Sequence, residues 1–246
     1  MTTATTTAAP TGTGPGHAPG AALGAGLAYL GVALAGMTGF LVIRAQLYVP
    51  GDAAATAANL VDNEGLARLG VAADLALVLT QAVAALYFLA LLRPVNRVAA
   101  AAVAAFGLVN SVVVLVGTAF TATALEVAVQ GATTPGGDAA VTALLLYDLN
   151  DAVWGVGNLF FGLWLMPMGW AVRRSATMPS ALGWILVIGG VGYVLSAFAA
   201  LVFPALPAAV AQVLVLPATV GEFWMIGYLL LRGRSAAGRD RGDAAG

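Results

Sequence analysis

The most constraining feature of the sequence is a run of uncharged, mostly apolar residues at 175–221. As one continuous helix rising about 1.5 Å per residue, this run would be about 70 Å long, more than twice the hydrocarbon thickness of a bilayer. Shorter runs of the same kind precede it. Because 61% of the residues are apolar and only 9% are charged, the chain cannot cover a soluble fold with polar groups. The sequence therefore predicts an integral membrane protein.

Dividing the uncharged runs at about 20 residues per crossing predicts six transmembrane helices. Pro204 and Pro207 are expected to mark a turn inside the longest run, because proline interrupts helical hydrogen bonding. The predicted fold is all-α, with a membrane domain at 23–232 between a disordered N-terminal tail at 1–22 and a C-terminal tail at 233–246. The six predicted spans are Leu23–Ile43, Gly70–Leu92, Val98–Phe120, Asp151–Val172, Ala181–Phe203 and Ala208–Leu231.

The arginines predict the orientation of these spans. Six crossings place three sets of arginines on one side of the membrane, and by the positive-inside rule that side is cytoplasmic. Both termini are then expected in the cytoplasm. The three sets are Arg93 with Arg97, Arg173 with Arg174, and Arg232 with Arg234, Arg239 and Arg241.

Short sequence signals add local detail. Asp52 is a good N-cap for a surface helix at 53–61 in the first outer loop, and the fourth helix is expected to begin outside the membrane near Asp138. Two series of glycines recur every seven residues, which predicts close helix approach along two narrow stripes. The series are Gly155, Gly162 and Gly169, and Gly183 with Gly190.

Composition excludes several classes of function. Ten arginines, no lysine and eleven acidic residues leave a net charge of -1, so no basic surface is available for nucleic acid. The chain has no cysteine, and its single histidine, His17, lies in the N-terminal tail. Thiol catalysis, disulfides, iron–sulfur clusters and Cys or His zinc sites are thereby excluded. We expect no metal and no cofactor, and no partner in nucleic acid.

Charged residues near the predicted outer boundary form a candidate rim. Counting about 20 residues back from the cytoplasmic arginines places Asp74, Asp148 and Asp151 at this boundary, together with Arg44. Asp148 and Asp151 share a helix face, so a pairing of Arg44 with one of these acids is expected. The rim has two interpretations, a structural pairing of interfacial charges or a ligand-binding entrance.

A second set of polar side chains is predicted near the membrane midplane. Glu222 lies ten residues from Arg232, and by the same count Gln81, Asn110 and Asn158 lie at a similar depth. An ionised carboxylate is costly there, so Glu222 is expected to be protonated unless water or a cation reaches it. The alternatives are a neutral hydrogen-bonding contact between helices and a proton or substrate site.

Several motifs across residues 40–231 occur together in the order of one family: Val49-Pro50-Gly51-Asp52, Glu64-Gly65, Arg68-Leu69-Gly70, Leu91-Leu92-Arg93-Pro94-Val95-Asn96, Phe160-Phe161-Gly162-Leu163, Gly192-Tyr193 and Gly221-Glu222. In these motifs the chain resembles DUF4386, a family of bacterial membrane proteins of unknown function. The resemblance implies a six-helix protein of the bacterial plasma membrane and assigns no activity.

The sequence is compatible with three functions. The one favoured is a non-enzymatic bundle that binds or senses a lipid, a small lipophilic molecule or a membrane partner, because the core offers one carboxyl group and amides rather than catalytic groups. The alternative is a small proton-coupled transporter or channel that uses Glu222. A membrane enzyme that uses carboxylates alone is the weakest of the three.

Overall fold

The computed structural model describes residues 20–131, 137–203, 205 and 207–243, with side chains described as far as Gly233 except at position 208. Most of the N-terminal tail and Pro204 lie outside the described residues. The described part contains seven helices: α1 Ala21–Leu47, α2 Ala53–Asp62, α3 Glu64–Leu92, α4 Arg97–Gln130, α5 Ala139–Arg174, α6 Ser180–Val202 and α7 Ala208–Asp243.

Six of these helices are long and apolar enough to cross a membrane, with the sixth span at Ala209–Gly233. The all-α fold and the number of spans predicted from the sequence are therefore confirmed. The remaining helix, α2, is the predicted short helix after the first span. The Oδ1 of Asp52 accepts a 2.9 Å hydrogen bond from the amide of Ala55, so it caps α2 as predicted.

Several helices run further than the predicted spans. α3 begins at Glu64 rather than Gly70, and α4 continues past Phe120 to Gln130. α5 begins at Ala139, next to Asp138 as predicted, and the Oδ1 of Asp138 accepts a 2.8 Å hydrogen bond from the amide of Ala140. Hydropathy marks the edge of the hydrocarbon, whereas a helix continues until its backbone groups find another partner.

The six spans form a ring around the bundle axis. Each span packs against its neighbours in sequence, and α7 closes the ring against α1. We call the end that carries Arg93, Arg173, Arg174 and Arg232 the arginine end, and the opposite end the α2 end, because α2 packs there against α4 and α5. Large apolar side chains such as Leu79, Val112 and Phe198 remain exposed on the outside of the ring, as expected of a surface that meets lipid.

The two glycine stripes bring α5 and α6 into backbone contact. A Cβ atom on Gly162 would lie 2.4 Å from the carbonyl oxygen of Gly190, and one on Gly169 would lie 2.5 Å from that of Gly183. No larger residue fits these positions without separating the helices. Gly155 differs from its two stripe partners, because a Cβ atom there has no neighbour within 4 Å.

One segment of α1 departs from α-helical geometry. Met37–Ile43 is a π-helix, in which each turn holds more residues than an α-helical turn. The sequence pattern gave no indication of this segment. Its residues Met37, Phe40 and Leu41 line a cavity of the bundle.

Candidate binding cavity

A cavity of about 650 Å³ lies inside the ring, in the half of the bundle toward the α2 end. Residues of α1, α5, α6 and α7 form its walls, with Leu77 of α3 behind them. Three of the lining residues, Leu41 on α1 and Leu216 and Phe223 on α7, are also 49–61% exposed on the outside of the bundle. The cavity therefore opens sideways between the first and last spans, toward the surrounding bilayer.

The spacing of α1 and α7 explains this opening. Toward the arginine end the two helices are in close contact, since a Cβ atom on Gly26 would lie 3.0 Å from the Cβ of Leu229. Gly233 likewise lies against Leu23 at the end of the contact. Toward the α2 end, residues of both helices, among them Met37 and Leu216, line the cavity instead.

A cluster of three aromatic rings packs beside the cavity toward the arginine end, and one of them, Tyr29, lines the cavity. Tyr29 packs edge-on against Phe88 and Trp164, with ring centroids 5.5 and 5.7 Å apart, and Phe88 lies 5.4 Å from Trp164. All three side chains are buried. Because they come from α1, α3 and α5, they fill the centre of the ring from three sides.

Glu222 lies at the closed end of the cavity. Its Oε1 accepts a 2.7 Å hydrogen bond from the hydroxyl of Tyr29, and the carboxyl group is partly buried. The ring of Tyr29 belongs to the aromatic cluster, whereas its hydroxyl faces the cavity. One side chain thus connects the packed centre of the bundle to the carboxyl group that borders the open space.

A row of aromatic residues forms one wall of the cavity. Phe40, Trp154, Phe161 and Tyr193 follow one another with centroid separations of 5.1, 6.2 and 5.6 Å. All four line the cavity. They come from α1, α5 and α6, so the wall depends on the ring arrangement rather than on one helix. No pattern in the sequence marked these four residues as part of a site.

The four polar residues predicted at the midplane lie in two different places. Asn158 lines the same cavity as Glu222, whereas Gln81 and Asn110 are not among its lining residues. Gln81 and Asn110 are buried, one turn from the contact between Ala85 of α3 and Gly107 of α4. Within the described part of the chain, the Nε2 of Gln81 and both the Nδ2 and the Oδ1 of Asn110 have no hydrogen-bond partner.

The predicted rim residues lie beside the α2 end of the cavity. The Nη2 of Arg44 lies 2.8 Å from the Oδ1 of Asp151, and its Nη1 donates a 2.5 Å hydrogen bond to the Oδ1 of Asn150. The Arg44 side chain is only 11% exposed, whereas that of Asp151 is 60% exposed. The guanidinium also lies 4.5 Å from the centroid of the Tyr48 ring. These contacts hold the Arg44 guanidinium in place from several sides.

The other two rim acids have different surroundings. Asp148 accepts a 2.6 Å hydrogen bond from the hydroxyl of Tyr48. Burial, together with this bond and the charge of Asp148, raises the pKa of Tyr48 to about 12, so its hydroxyl stays a donor at physiological pH. Asp74 and Arg44 both border a second, small cavity of about 30 Å³, which has room for about two water molecules.

The missed residues had a partial signal in the sequence. Trp154, Asn158 and Phe161 are spaced four and three residues apart, which places them on one face of a helix. That spacing indicates a shared surface on α5 that is part polar and part aromatic. Tyr29 had no comparable signal, because its partner Glu222 lies 193 positions further along the chain.

The fold and the cavity together define a multi-pass helical membrane protein with an internal cavity that opens toward the bilayer. Within that class, the chain belongs to the DUF4386 family, described as a domain of unknown function, whose model matches residues 24–233. No curated protein and no solved structure matches the chain.

Proposed function

We propose that this protein is a non-enzymatic membrane protein of the bacterial plasma membrane that binds a lipid or small lipophilic molecule. The observation that carries the proposal is the cavity of about 650 Å³ between α1, α5, α6 and α7. Its volume lies in the range of about 300–1,000 Å³ that is common for small-molecule sites, and its walls are mostly apolar with a few polar groups.

The sideways opening supports a lipophilic ligand in particular. A molecule dissolved in the bilayer can enter between the exposed side chains of Leu41 and Leu216 without crossing water. Once inside, an alkyl or ring system would lie against the aromatic row, and a polar head group would reach Glu222 or Asn158. Apolar burial provides affinity in such a site, and the few polar groups provide orientation.

Quenching of tryptophan fluorescence tests this proposal directly. Among the described residues, Trp154 is the tryptophan that lines the cavity. Dodecanol with bromine on its terminal carbon is added to the protein in nanodiscs, and the contribution of Trp154 is taken as the difference from Trp154→Phe. Saturable quenching of Trp154 is expected.

Two glycine substitutions make the test specific to the cavity. Gly155 lines the cavity and Gly227 does not, and a Cβ atom at either position meets nothing within 4 Å. Gly155→Phe is expected to weaken dodecanol binding by about tenfold, because the ring occupies cavity volume. Gly227→Phe is expected to leave binding unchanged. Non-saturable quenching, or equal behaviour of the two variants, would contradict the proposal.

Proton-coupled transport is the second candidate function. It is favoured by one observation, that the Glu222 carboxyl group borders an open cavity instead of being enclosed by protein. The charged and titratable side chains that line the same cavity from other helices are Tyr29, Tyr193 and, at the far end, Asp151. A carboxyl group that can exchange its proton with such a cavity has the minimum chemistry of a proton carrier.

Proteoliposomes that contain a pH-sensitive dye test this second function. Wild-type protein should then carry protons down an imposed gradient, and Glu222→Gln should abolish this flux while the protein still folds. The amide keeps the shape of the side chain and can still bond to Tyr29. Flux that is unchanged in Glu222→Gln, or absent from the wild-type protein, would remove Glu222 as a proton carrier.

A further inference from the structure

The charges around the cavity are unequal at its two ends. At the α2 end, Asp151 is paired with Arg44 at 2.8 Å, so its charge is compensated by the protein itself. At the closed end, Glu222 has the Tyr29 hydroxyl as its described partner, and a hydroxyl carries no charge. Among the described lining residues there is no arginine or histidine, and the chain has no lysine.

We infer that the ligand of this cavity is a lipophile that carries a single ammonium group, such as a long-chain amine or quaternary ammonium compound. This inference rests on the proposed binding function. It follows from charge complementarity, because a partly buried carboxyl group is either protonated or paired with a cation, and the described lining supplies no cation to stabilise its ionised form. An anionic head group would find no cation in the lining and would be repelled by Glu222.

The aromatic residues near Glu222 support the same class of ligand. Tyr193 ends the aromatic row and lines the same cavity as Glu222. Tyr29 contributes its hydroxyl, which donates to Glu222, whereas its ring packs against Phe88 and Trp164. Aromatic rings attract cations through their π electrons, and sites that combine them with a carboxylate are suited to ammonium groups. The remaining wall, mostly apolar, would accommodate the alkyl chain.

The arrangement also positions the two parts of such a ligand. Glu222 lies at the closed end, and exposed side chains of α1 and α7 lie at the sideways opening. An ammonium group bound at Glu222 would therefore place its alkyl chain along the aromatic row or out toward the bilayer. A lipophile with its charge at one end of the molecule fits this geometry.

Three probes with the same chain and different head groups test the inference. They are dodecyltrimethylammonium, dodecanol and dodecyl sulfate, each with bromine on its terminal carbon, and the readout is again the quenching that depends on Trp154. We expect the ammonium probe to bind at least about tenfold more tightly than dodecanol, and the sulfate most weakly. Glu222→Gln should remove the preference for the cation while retaining dodecanol binding, which shows that the variant is folded.

The control variant is Glu126→Gln, which removes a carboxylate that pairs with Arg68 outside the cavity. It should keep the full preference for the ammonium probe. Saturable binding of all three probes with equal affinity would overturn the inference and leave the proposed function standing. A preference that survives in Glu222→Gln would also overturn it. Failure of every probe to quench Trp154 saturably would instead contradict the proposed function itself.

Discussion

The hydroxyl of Tyr29 on the first span donates a 2.7 Å hydrogen bond to the Oε1 of Glu222 on the last span. This contact joins the two helices that close the ring, at the point where they begin to separate around the cavity. It also determines the direction in which the carboxyl group points. A change at Tyr29 should therefore affect both the stability of the ring closure and the environment of Glu222.

Removing the hydroxyl alone tests this relationship. Tyr29→Phe keeps the ring in contact with Phe88 and Trp164 and deletes only the donor to Glu222. We expect a loss of about 1 kcal/mol, because water in the cavity can partly replace the bond. In a chain of this size that corresponds to a decrease in Tm of about 2–4 °C, measured by thermal unfolding in detergent.

A matched tyrosine provides the control. Tyr87 is on α3, its ring packs beside Gly24, and the side chain is 40% exposed. Tyr87→Phe is expected to leave Tm unchanged within error. If both variants unfold at the wild-type temperature, the Tyr29–Glu222 bond does not stabilise the ring closure.

The sequence was sufficient to predict the helices because their signals are local. Uncharged runs of span length predict membrane helices whatever surrounds them, and Asp52 and Asp138 cap α2 and α5 through amides only two or three residues away. The two glycine stripes, one on α5 and one on α6, are local signals as well. Within each stripe, the seven-residue spacing is enough to place the glycines on one side of the helix.

The composition of the cavity could not be predicted, because depth in the membrane does not determine rotation about the helix axis. Counting residues placed Gln81 and Asn110 at a depth similar to that of Glu222. These amides nevertheless lie near the contact between α3 and α4, at Ala85 and Gly107, and not at the cavity. The π-helical segment Met37–Ile43 adds to the difficulty, since it changes the rotation of α1 between Tyr29 and Arg44.

Two glycines of the same stripe should respond in opposite ways to alanine. Gly162→Ala places a methyl group against the carbonyl oxygen of Gly190, so α5 and α6 must separate, at a cost of about 1–3 kcal/mol. Gly155→Ala meets no neighbour within 4 Å and should be neutral or stabilising by up to about 1 kcal/mol, since alanine favours a helix. Thermal unfolding of the two variants in one detergent measures the difference. Equal effects would show that the stripe does not set the contact between α5 and α6.

The contacts of Arg44 predict a specific order of stability effects. Arg44→Met leaves the buried Asn150 without the donor to its Oδ1, and we expect a loss of about 1–3 kcal/mol. Asp151→Asn removes only the charge from a side chain that is 60% exposed, and the expected loss is under about 1 kcal/mol. Chemical or thermal unfolding should rank the two variants in this order. Equal losses in the two variants would mean that the ion pair to Asp151, which both variants remove, and not the hydrogen bond to Asn150, accounts for the stabilising effect of Arg44.

The proposed orientation, with both termini in the cytoplasm, can be tested by chemical labelling because the chain has no cysteine of its own. Asp62→Cys introduces an exposed thiol at the α2 end, and Ala176→Cys introduces one at the arginine end. Both side chains are exposed and neither lines the cavity, so both variants should fold. A maleimide that cannot cross the plasma membrane is the reagent.

The positive-inside rule predicts that the maleimide labels Asp62→Cys in intact cells. Ala176→Cys should react only after lysis, because the rule places the loop that follows Arg173 and Arg174 on the cytoplasmic side. Labelling after lysis shows that each thiol is accessible, so a negative result in intact cells reflects the membrane barrier. The reverse pattern would invert the orientation, and it would place the α2 end of the cavity in the half of the membrane that faces the cytoplasm.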